Sequence, residues 1–275
     1  MFCVNRGADV SFDKLNYHYY DAFAFLKGRI ELYGVPASLR RSYYNPIVYV
    51  TFYFLLTITG PLVTNMDLTI IQSLNYIIVG LTTFFLVRRE SAWYRWGCIV
   101  IATIIALASP IALSEIGTSF ADIVSSIPVI AAVAIVLSSA NVTRPMLLLS
   151  GLLIGAATGL KRTNATFAIA FGAVCLLCAP GIGARIRAAC TAGIGLVVGL
   201  IAVGGAWGFT LWTRFGNPIF PFYNSIFRSP DYPPSSSADR RYLPEGVLDG
   251  IAYPFRGRSK SCRSRKLPSA TSALP

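Results

Sequence analysis

The chain has 275 residues, of which 54% are hydrophobic and only 13% are charged, whereas an average soluble domain carries roughly 25% charged residues. This composition excludes an ordinary soluble enzyme, and apolar runs of about 20 residues, enough to cross roughly 30 Å of hydrocarbon, recur along the chain. We therefore predict an all-α, polytopic transmembrane protein. Its predicted partner is the lipid bilayer that surrounds it.

A formal net charge of +12 would suggest a nucleic-acid-binding protein, but the positions of the basic residues do not support that function. Six of them lie in the C-terminal tail: Arg256, Arg258, Lys260, Arg263, Arg265 and Lys266. Most of the others lie in the N-terminal stretch or in short loops, where basic residues set the orientation of spanning helices. We therefore predict no nucleic-acid partner.

The chain divides by composition into four parts. Residues 1–45 are a polar and aromatic loop with a candidate amphipathic helix, 46–212 a transmembrane core, 213–250 a loop rich in proline and aromatic residues, and 251–275 a basic tail. The apolar segments of the core lie at about 46–66, 68–87, 97–113, 120–140, 146–179 and 188–212.

The N-terminal part contains the single histidine of the protein. Asp13, Asn16, His18 and Asp21 lie within nine residues. In a helix, Asp13, Asn16 and Tyr17 would share one face, because positions three and four apart are neighbours. From the pattern alone, an amphipathic helix lying at the membrane interface is the simpler interpretation.

The segment 46–66 is interrupted by Gly60-Pro61 and begins with several aromatic residues. An aromatic start suits the membrane interface as well as the hydrocarbon core. The segment is therefore either a full span or a re-entrant or interfacial element.

A second polar cluster, residues 114–122, separates two apolar segments. Its Glu115 and Asp122 are the only acids between Glu90 and Asp231. They are either part of a site or a solvated loop in which Asp122 begins the following helix, since an acid is favourable at a helix N-terminus.

The segment 146–179 is too long for one span. As a single helix it would measure about 51 Å, with Lys161 and Arg162 at its centre. We predict two helices that meet at 158–164, which places both cations at an interface or in a water-filled recess. There they could hold a phosphate group, or they could extend along the interface as a snorkelling pair.

The basic loops predict the orientation of the spans. Cytoplasmic loops carry an excess of Lys and Arg, which assigns to that face Arg88, Arg89, Arg95, Arg144, Arg185 and Arg187. The opposite, outer face then collects Glu115, Asp122, Lys161, Arg162 and Arg214. Ionisable groups at membrane depth are costly and usually functional.

Four motifs in order resemble the bacterial integral-membrane glycosyltransferases of the C-type (GT-C) superfamily. They are Asp13-x-x-Asn-Tyr-His-Tyr-Tyr-Asp21 with Leu26-Lys-Gly-Arg29 and Asn45-Pro46, then 114–122, 151–161 and Phe215-Gly-Asn-Pro-Ile-Phe-Pro221. The resemblance covers about residues 11–255.

The resemblance implies transfer of a sugar from a polyprenyl-phosphate donor to a hydroxyl of a glycan or lipid acceptor, at the outer face of the bacterial cytoplasmic (inner) membrane. Asp13 would be the candidate base and Glu115 or Asp122 the second acid. Lys161, Arg162 and Arg214 would neutralise the phosphate leaving group, and Asn16, His18 and Asp21 would bind substrate.

The resemblance also bears on topology. The family has its first loop and second acid on one side, so two spans should separate Asp13 from Glu115, and 46–66 should be a re-entrant or interfacial helix pair broken at Gly60-Pro61. Such enzymes carry a span before the acidic loop and several after the Gly-Asn-Pro loop. The chain is therefore expected to be a truncated or frameshifted member, which could be inactive, unless its end is a disordered basic tail that binds anionic lipid.

One alternative lies outside enzymes. Clustered charges at membrane depth also mark the path of a multi-pass transporter or lipid flippase. No cofactor is expected, although Asp13, Glu115 and Asp122 could together bind a divalent cation if they converged.

Overall fold

The computed structural model describes residues 9, 11–29, 43–178, 180–234, 244 and 246–252. Every regular element within these ranges is helical, which confirms the all-α fold class. The chain forms two compact units, 1–234 and 235–275. The predicted basic tail lies outside the described residues from position 253 onward.

The first unit carries the following elements in order: a π-helical turn (Lys14–His18), α1 (Tyr19–Leu26), α2 (Ile47–Leu86), α3 (Ala92–Leu107), α4 (Pro110–Glu115), α5 (Ala121–Leu137), α6 (Arg144–Leu160), a 3₁₀ turn (Arg162–Asn164), α7 (Ala165–Cys178), α8 (Ile182–Leu200), a second π-helical turn (Ile201–Gly205), α9 (Ala206–Phe215) and α10 (Asn224–Phe227). The second unit carries one described helix, α11 (Val247–Ala252).

Helix α2 is broken at Gly60, whose φ of 78° and ψ of 173° are not helical, immediately before Pro61. This confirms the predicted break. The predicted boundary near residue 66 is wrong, because the second half of α2 continues without interruption to Leu86. Threonines near this boundary bond within the helix: Thr64 donates to the Gly60 carbonyl at 2.7 Å, and Thr69 donates to the Asn65 carbonyl at 2.7 Å.

The predicted division of 146–179 is confirmed. α6 ends at Leu160, Lys161 is extended with φ −143° and ψ 113°, and the 3₁₀ turn leads into α7. The two cations therefore lie at the junction of two helices and not in the middle of one.

Two helical stretches are long and apolar enough to cross a membrane: α2, and residues Ile182–Phe215, which comprise α8, the second π-helical turn and α9. Only 17% of the most apolar 18-residue window of each is buried, whereas the core helix of a soluble protein is mostly buried. This exposure supports association with a membrane. Four further apolar helices of 10–17 residues are Ala92–Leu107, Ala121–Leu137, Arg144–Leu160 and Arg162–Cys178.

The packing of α6 on α8 brings the end of α6 to the end of α8. Gly151 lies against Ala192, and Gly159 lies against Gly204, so the two helices run parallel. The side-chain amide of Asn45 donates to the carbonyls of Gly159 at 2.9 Å and of Val203 at 3.0 Å, which fastens both ends to the start of α2.

The packing of α2 on α5 is also parallel. Near the start of α5, Gln72 bonds to Gly117 at 2.6 Å and to Thr118 at 3.1 Å. Beyond the ends of both helices, Arg88 donates to the Ser138 carbonyl at 2.8 Å. The bundle therefore has one end where α5 begins and α6 finishes, and an opposite end that carries Arg88.

Candidate functional site

A cavity of about 530 Å³ lies at the end of the bundle where α5 begins and α6 finishes. Its wall is formed by the N-terminal helical segment, the start of α2, the first residues of α5, the end of α6, and the α8–α9 stretch with the loop that follows it. Segments that are distant in the sequence thus enclose one space. Four of the predicted charged site residues line it: Asp13, Asp122, Lys161 and Arg162.

The two carboxylates of the cavity come from two segments. Asp13 immediately precedes the first π-helical turn. Asp122 lies in the first turn of α5, where the helix dipole favours a negative charge. The Asp122 side chain is 46% exposed, so its carboxylate remains accessible from the cavity.

Lys161 lies beside Asp122, at the end of α6. Its ammonium forms an ion pair with the Asp122 carboxylate, and its side chain is 27% exposed. The pair joins the start of α5 to the end of α6 in the cavity wall. Because both groups are partly solvated, the pair can open at small cost when another anion competes for the lysine.

Arg162 is held more firmly. Its Nη1 donates to the Ile219 carbonyl at 2.9 Å, and its guanidinium lies 4.1 Å from the ring centre of Phe222 and 5.6 Å from that of Tyr44. Its buried Nη2 has no hydrogen-bond acceptor among the described residues. The planar guanidinium thus has a fixed position and an unused donor on the cavity wall, which suits an oxyanion such as a phosphate.

The loop after α9 supplies the partners of Arg162. Gly216 ends α9 with a φ of 63°, and the fully buried Asn217 accepts from the Ile219 amide at 3.0 Å and donates to the Phe222 carbonyl at 3.0 Å. These bonds fold the Gly-Asn-Pro motif into a compact turn. They bring the Ile219 carbonyl and the Phe222 ring to the guanidinium.

His18 also lines the cavity, with 2% of its surface exposed. Its ring stacks on Tyr49 at 4.3 Å between centroids and contacts Tyr17 and Phe120 edge to face. Its Nδ1 bonds to the Ser119 hydroxyl at 2.8 Å.

The remaining predicted site residues are not part of the cavity wall that the structure describes. Asn16 donates to the Phe12 carbonyl of its own segment at 2.7 Å, and Arg214 is exposed on the last turn of α9. Asp21 is buried with one oxygen that has no hydrogen-bond donor among the described residues. Burial raises the pKa of Asp21 to about 8, so this carboxyl is largely protonated at neutral pH.

Glu115 lies beside the cavity and is half-buried. Burial, together with the nearby Asp122 charge, raises the pKa of Glu115 to about 7 against the opposing effect of Lys161. Of the two candidates for the second acid, Asp122 lines the described cavity wall and Glu115 does not. The catalytic and substrate-binding roles assigned from the sequence stay predictions.

The sequence analysis missed several residues in and around the site: Tyr44, Ser119, Phe222, and Asp9, whose carboxylate accepts from the Ser119 hydroxyl at 3.0 Å. It also missed the bonds by which Asn45 joins the ends of α6 and α8 to the start of α2. Most of these residues act through contacts across more than 40 positions of the chain, for which local spacing gives no signal. Within the described residues, no group of three or more His, Cys, Asp or Glu side chains is arranged to hold a metal ion.

Comparison with protein-family models, with curated proteins and with solved structures gives no match to this chain.

Proposed function

We propose that this protein is a polytopic membrane glycosyltransferase that moves a sugar from a polyprenyl-phosphate donor to a hydroxyl of a glycan or lipid acceptor. The observation that carries the proposal is that one cavity has both Asp13 and Asp122 and the cations Lys161 and Arg162 in its wall. Transfer to a hydroxyl needs a base on one side of the reacting carbon and cations at the departing phosphate on the other. The cavity supplies both.

The charge distribution supports the proposed orientation. Arg88 and Arg95 are linked to each other and to Ser138 at the end of the bundle opposite the cavity. Basic residues gather on the cytoplasmic side of bacterial inner-membrane proteins, so the cavity would open at the outer face. The exposed apolar surfaces of α2 and α8 would contact lipid.

The break at Gly60 supports a short first half of α2 at the membrane surface, because Tyr49 packs beside His18 in the cavity wall. The second half of α2 and α3 would then be the two crossings between Asp13 and Glu115. At about 1.5 Å per residue the second half measures roughly 39 Å, enough for a full span. The re-entrant or interfacial part is thus proposed to end at Gly60.

In the proposed reaction, Asp13 accepts the proton of the acceptor hydroxyl as that oxygen forms a bond to the anomeric carbon of the donor sugar. The bond between this carbon and the phosphate oxygen breaks, and the phosphate takes the electron pair. Arg162 has a buried, unused donor for that oxyanion. Lys161 would leave Asp122 and pair with the same phosphate, which balances the charge that develops there.

The test is sugar transfer from radiolabelled polyprenyl-phosphate sugars in proteoliposomes, with wild-type protein and the variant Asp13→Asn. We expect the variant to lose transfer by about 10²–10⁴-fold, the usual contribution of a general base, while donor lipid binding by native mass spectrometry persists. The matched control is Asp231→Asn, which removes an exposed acid outside the cavity wall and should leave transfer unchanged.

Two results would contradict the proposal. One is transfer by Asp13→Asn at the wild-type rate. The other is wild-type protein that transfers no sugar but moves the lipid across the bilayer, which would favour a flippase.

A further inference from the structure

A further cavity, of about 440 Å³, lies at the end of the bundle that carries Arg88. It is bounded by the last turn of α2 with the residues that follow it, and by the end of α5 with the loop that leads to α6. Its volume is in the range of sites that hold small molecules. The wall combines apolar side chains with the cations Arg88 and Arg89 and the acid Glu90. The described wall therefore has a net positive charge beside an apolar surface.

Arg88 is oriented in this wall by a bond to a neutral group. Its Nη1 donates to the Ser138 carbonyl at 2.8 Å. Ser138 caps the end of α5, where carbonyls have no partner within the helix and a cation is favourable. A carbonyl carries no net charge, and a guanidinium has five N–H donors. The bond to Ser138 thus fixes the group while its positive charge is retained for an anion.

Arg95 supports the same corner from the first turns of α3. Its Nη1 donates to the Arg88 carbonyl at 3.1 Å, and its guanidinium lies 5.4 Å from the ring centre of Phe84. These contacts hold the residues that follow α2 against the start of α3. Residues 88–95 thus collect three arginines, with Glu90 as their only acid.

The start of α3 also exposes two tryptophans next to these cations. Trp93 is 91% exposed and Trp96 is 61% exposed. Tryptophan is enriched where a membrane meets water, with its ring at the level of the lipid headgroups. In the cavity wall, Leu86 is 68% exposed. Exposed indoles, an exposed leucine and fixed cations together suit contact with an amphiphile at headgroup level.

We propose that this cavity binds an anionic phospholipid, whose phosphate contacts Arg88 and Arg89 and whose acyl chains extend along the exposed apolar side chains of the wall. The apolar part of the wall favours a lipid over free phosphate, which would contact the cations alone. Under the orientation proposed above, the site lies in the cytoplasmic leaflet. The leaflet rests on that orientation, whereas the class of ligand does not, and occupancy requires no sugar transfer.

The test is native mass spectrometry of the full chain in detergent, titrated with dioleoyl phosphatidylglycerol or with dioleoyl phosphatidylcholine. The two lipids share their acyl chains and a phosphate and differ in net charge. A basic residue beside an anionic headgroup contributes about 5-fold in affinity. We therefore expect the wild type to bind phosphatidylglycerol at least about 10-fold more tightly than phosphatidylcholine.

Two variants remove the cations of the wall. Arg89→Gln should weaken binding of phosphatidylglycerol about 5-fold and leave that of phosphatidylcholine unchanged. Arg88→Gln combined with Arg89→Gln should abolish the preference between the lipids. Because Arg88 also joins α2 to α5, the Tm of the double variant is measured first. If the double variant is unfolded, Arg89→Gln, which leaves that bond in place, decides the outcome.

The matched control is Arg187→Gln near the start of α8. α8 runs parallel to α6, which begins at the same end of the bundle, so Arg187 is an exposed cation of this end that lies outside the described cavity wall. Its loss should leave the preference for phosphatidylglycerol unchanged. This control separates a defined site from general attraction of lipid to a basic surface.

Three results would overturn the inference. One is equal binding of the two lipids by the wild type. Another is a loss in Arg187→Gln as large as that in Arg89→Gln, because it would show attraction without a site. The third is displacement of phosphatidylglycerol by inorganic phosphate at equal concentration, which would show an anion site that gains nothing from the acyl chains.

Discussion

The two helix pairs that carry the charges of the cavity are built in different ways. α6 and α8, which carry Lys161 and Arg162 at their shared end, approach backbone to backbone through glycine. A Cβ at Gly151 or Gly155 would lie 2.0–2.1 Å from a carbonyl oxygen of α8, and one at Gly195 would lie 2.1 Å from a carbonyl of α6. No side chain separates the helices at these points.

α2 and α5 are joined by polar side chains instead. Asn75 donates to the Ile123 carbonyl at 2.7 Å and accepts from Ser126 at 3.1 Å. Gln72, with no exposed surface, bonds to Gly117 and Thr118 in the loop that leads to Asp122. This interface positions a loop as well as a helix.

The two interfaces show two ways of holding helices together. In the proposed bilayer setting, apolar side chains gain little by leaving lipid for one another, so helices associate by close contact of small residues or by interhelical hydrogen bonds. The glycine pair fixes the cation side of the cavity with almost no tolerance for added volume. The polar pair fixes the acid side through a few replaceable bonds.

The largest effect should follow from Gly155→Leu. Its Cβ would meet backbone atoms of Leu196 at 2.0–2.9 Å, and a backbone cannot rotate away as a side chain can. We expect a loss of about 3 kcal/mol or more in unfolding free energy, or about 10 °C in Tm measured in detergent.

The matched control is Gly172→Leu on α7, where nothing lies within 4 Å of the added carbon. Its Tm should stay within about 2 °C of the wild type. Equal losses at both positions would show that leucine itself, and not the close approach of α6 and α8, is responsible.

A smaller effect should follow from Gln72→Leu on the polar side. The substitution removes two interhelical bonds, and each such bond in a membrane contributes about 0.6 kcal/mol on average and at most about 1.7. We expect a loss of about 1–3 kcal/mol in unfolding free energy, with increased protease sensitivity at residues 116–119.

The matched control, Ser73→Ala, removes only a bond to Thr69 within α2 and should cost less than about 0.5 kcal/mol in unfolding free energy. A stable Gln72→Leu protein with a protected loop would mean that Asn75 alone fixes α5.

The sequence predicted the helices well where physical limits are strict. The division of 146–179 followed from bilayer thickness and from two cations that a single span could not bury, and α6 and α7 separate at Lys161. The boundary at residue 66 failed because the charged Asp67 separates two apolar segments in the sequence, whereas α2 continues through it to Leu86.

The N-terminal site residues show a second limit. Neighbours three and four apart in an α-helix would align Asp13 with Asn16 and Tyr17. Lys14–His18 is a π-helical turn, however, whose wider winding brings residues five apart together. Asp13, Tyr17 and His18 line the cavity and Asn16 does not. Such a local change of winding leaves no mark in the composition.

Glu115 lies at the edge of the α2–α5 interface, and its substitution should have the smallest effect of the three. It ends α4, two residues before the loop that Gln72 holds. One of its carboxylate oxygens is buried with no hydrogen-bond donor among the described residues. A charge there is unfavourable, which is why the pKa of Glu115 rises to about 7 by burial and by the nearby Asp122.

The folded state therefore holds the Glu115 proton more tightly than the unfolded chain, whose carboxyl titrates near its ordinary value of 4.5. Stability from this group is fully present below that value and decreases as pH rises toward about 7. Because half of the carboxyl faces solvent, which screens the shift, we expect Glu115 to contribute only about 1 kcal/mol, or about 2–4 °C in Tm, between pH 5 and pH 8. Glu115→Gln should remove this contribution and keep the decrease that comes from the buried Asp21 carboxyl, while Glu90→Gln, exposed at the opposite end, should keep both. A Tm gap between Glu115→Gln and wild type that stays constant with pH would show that the buried oxygen is solvated, and that the loop held by Gln72 opens to water.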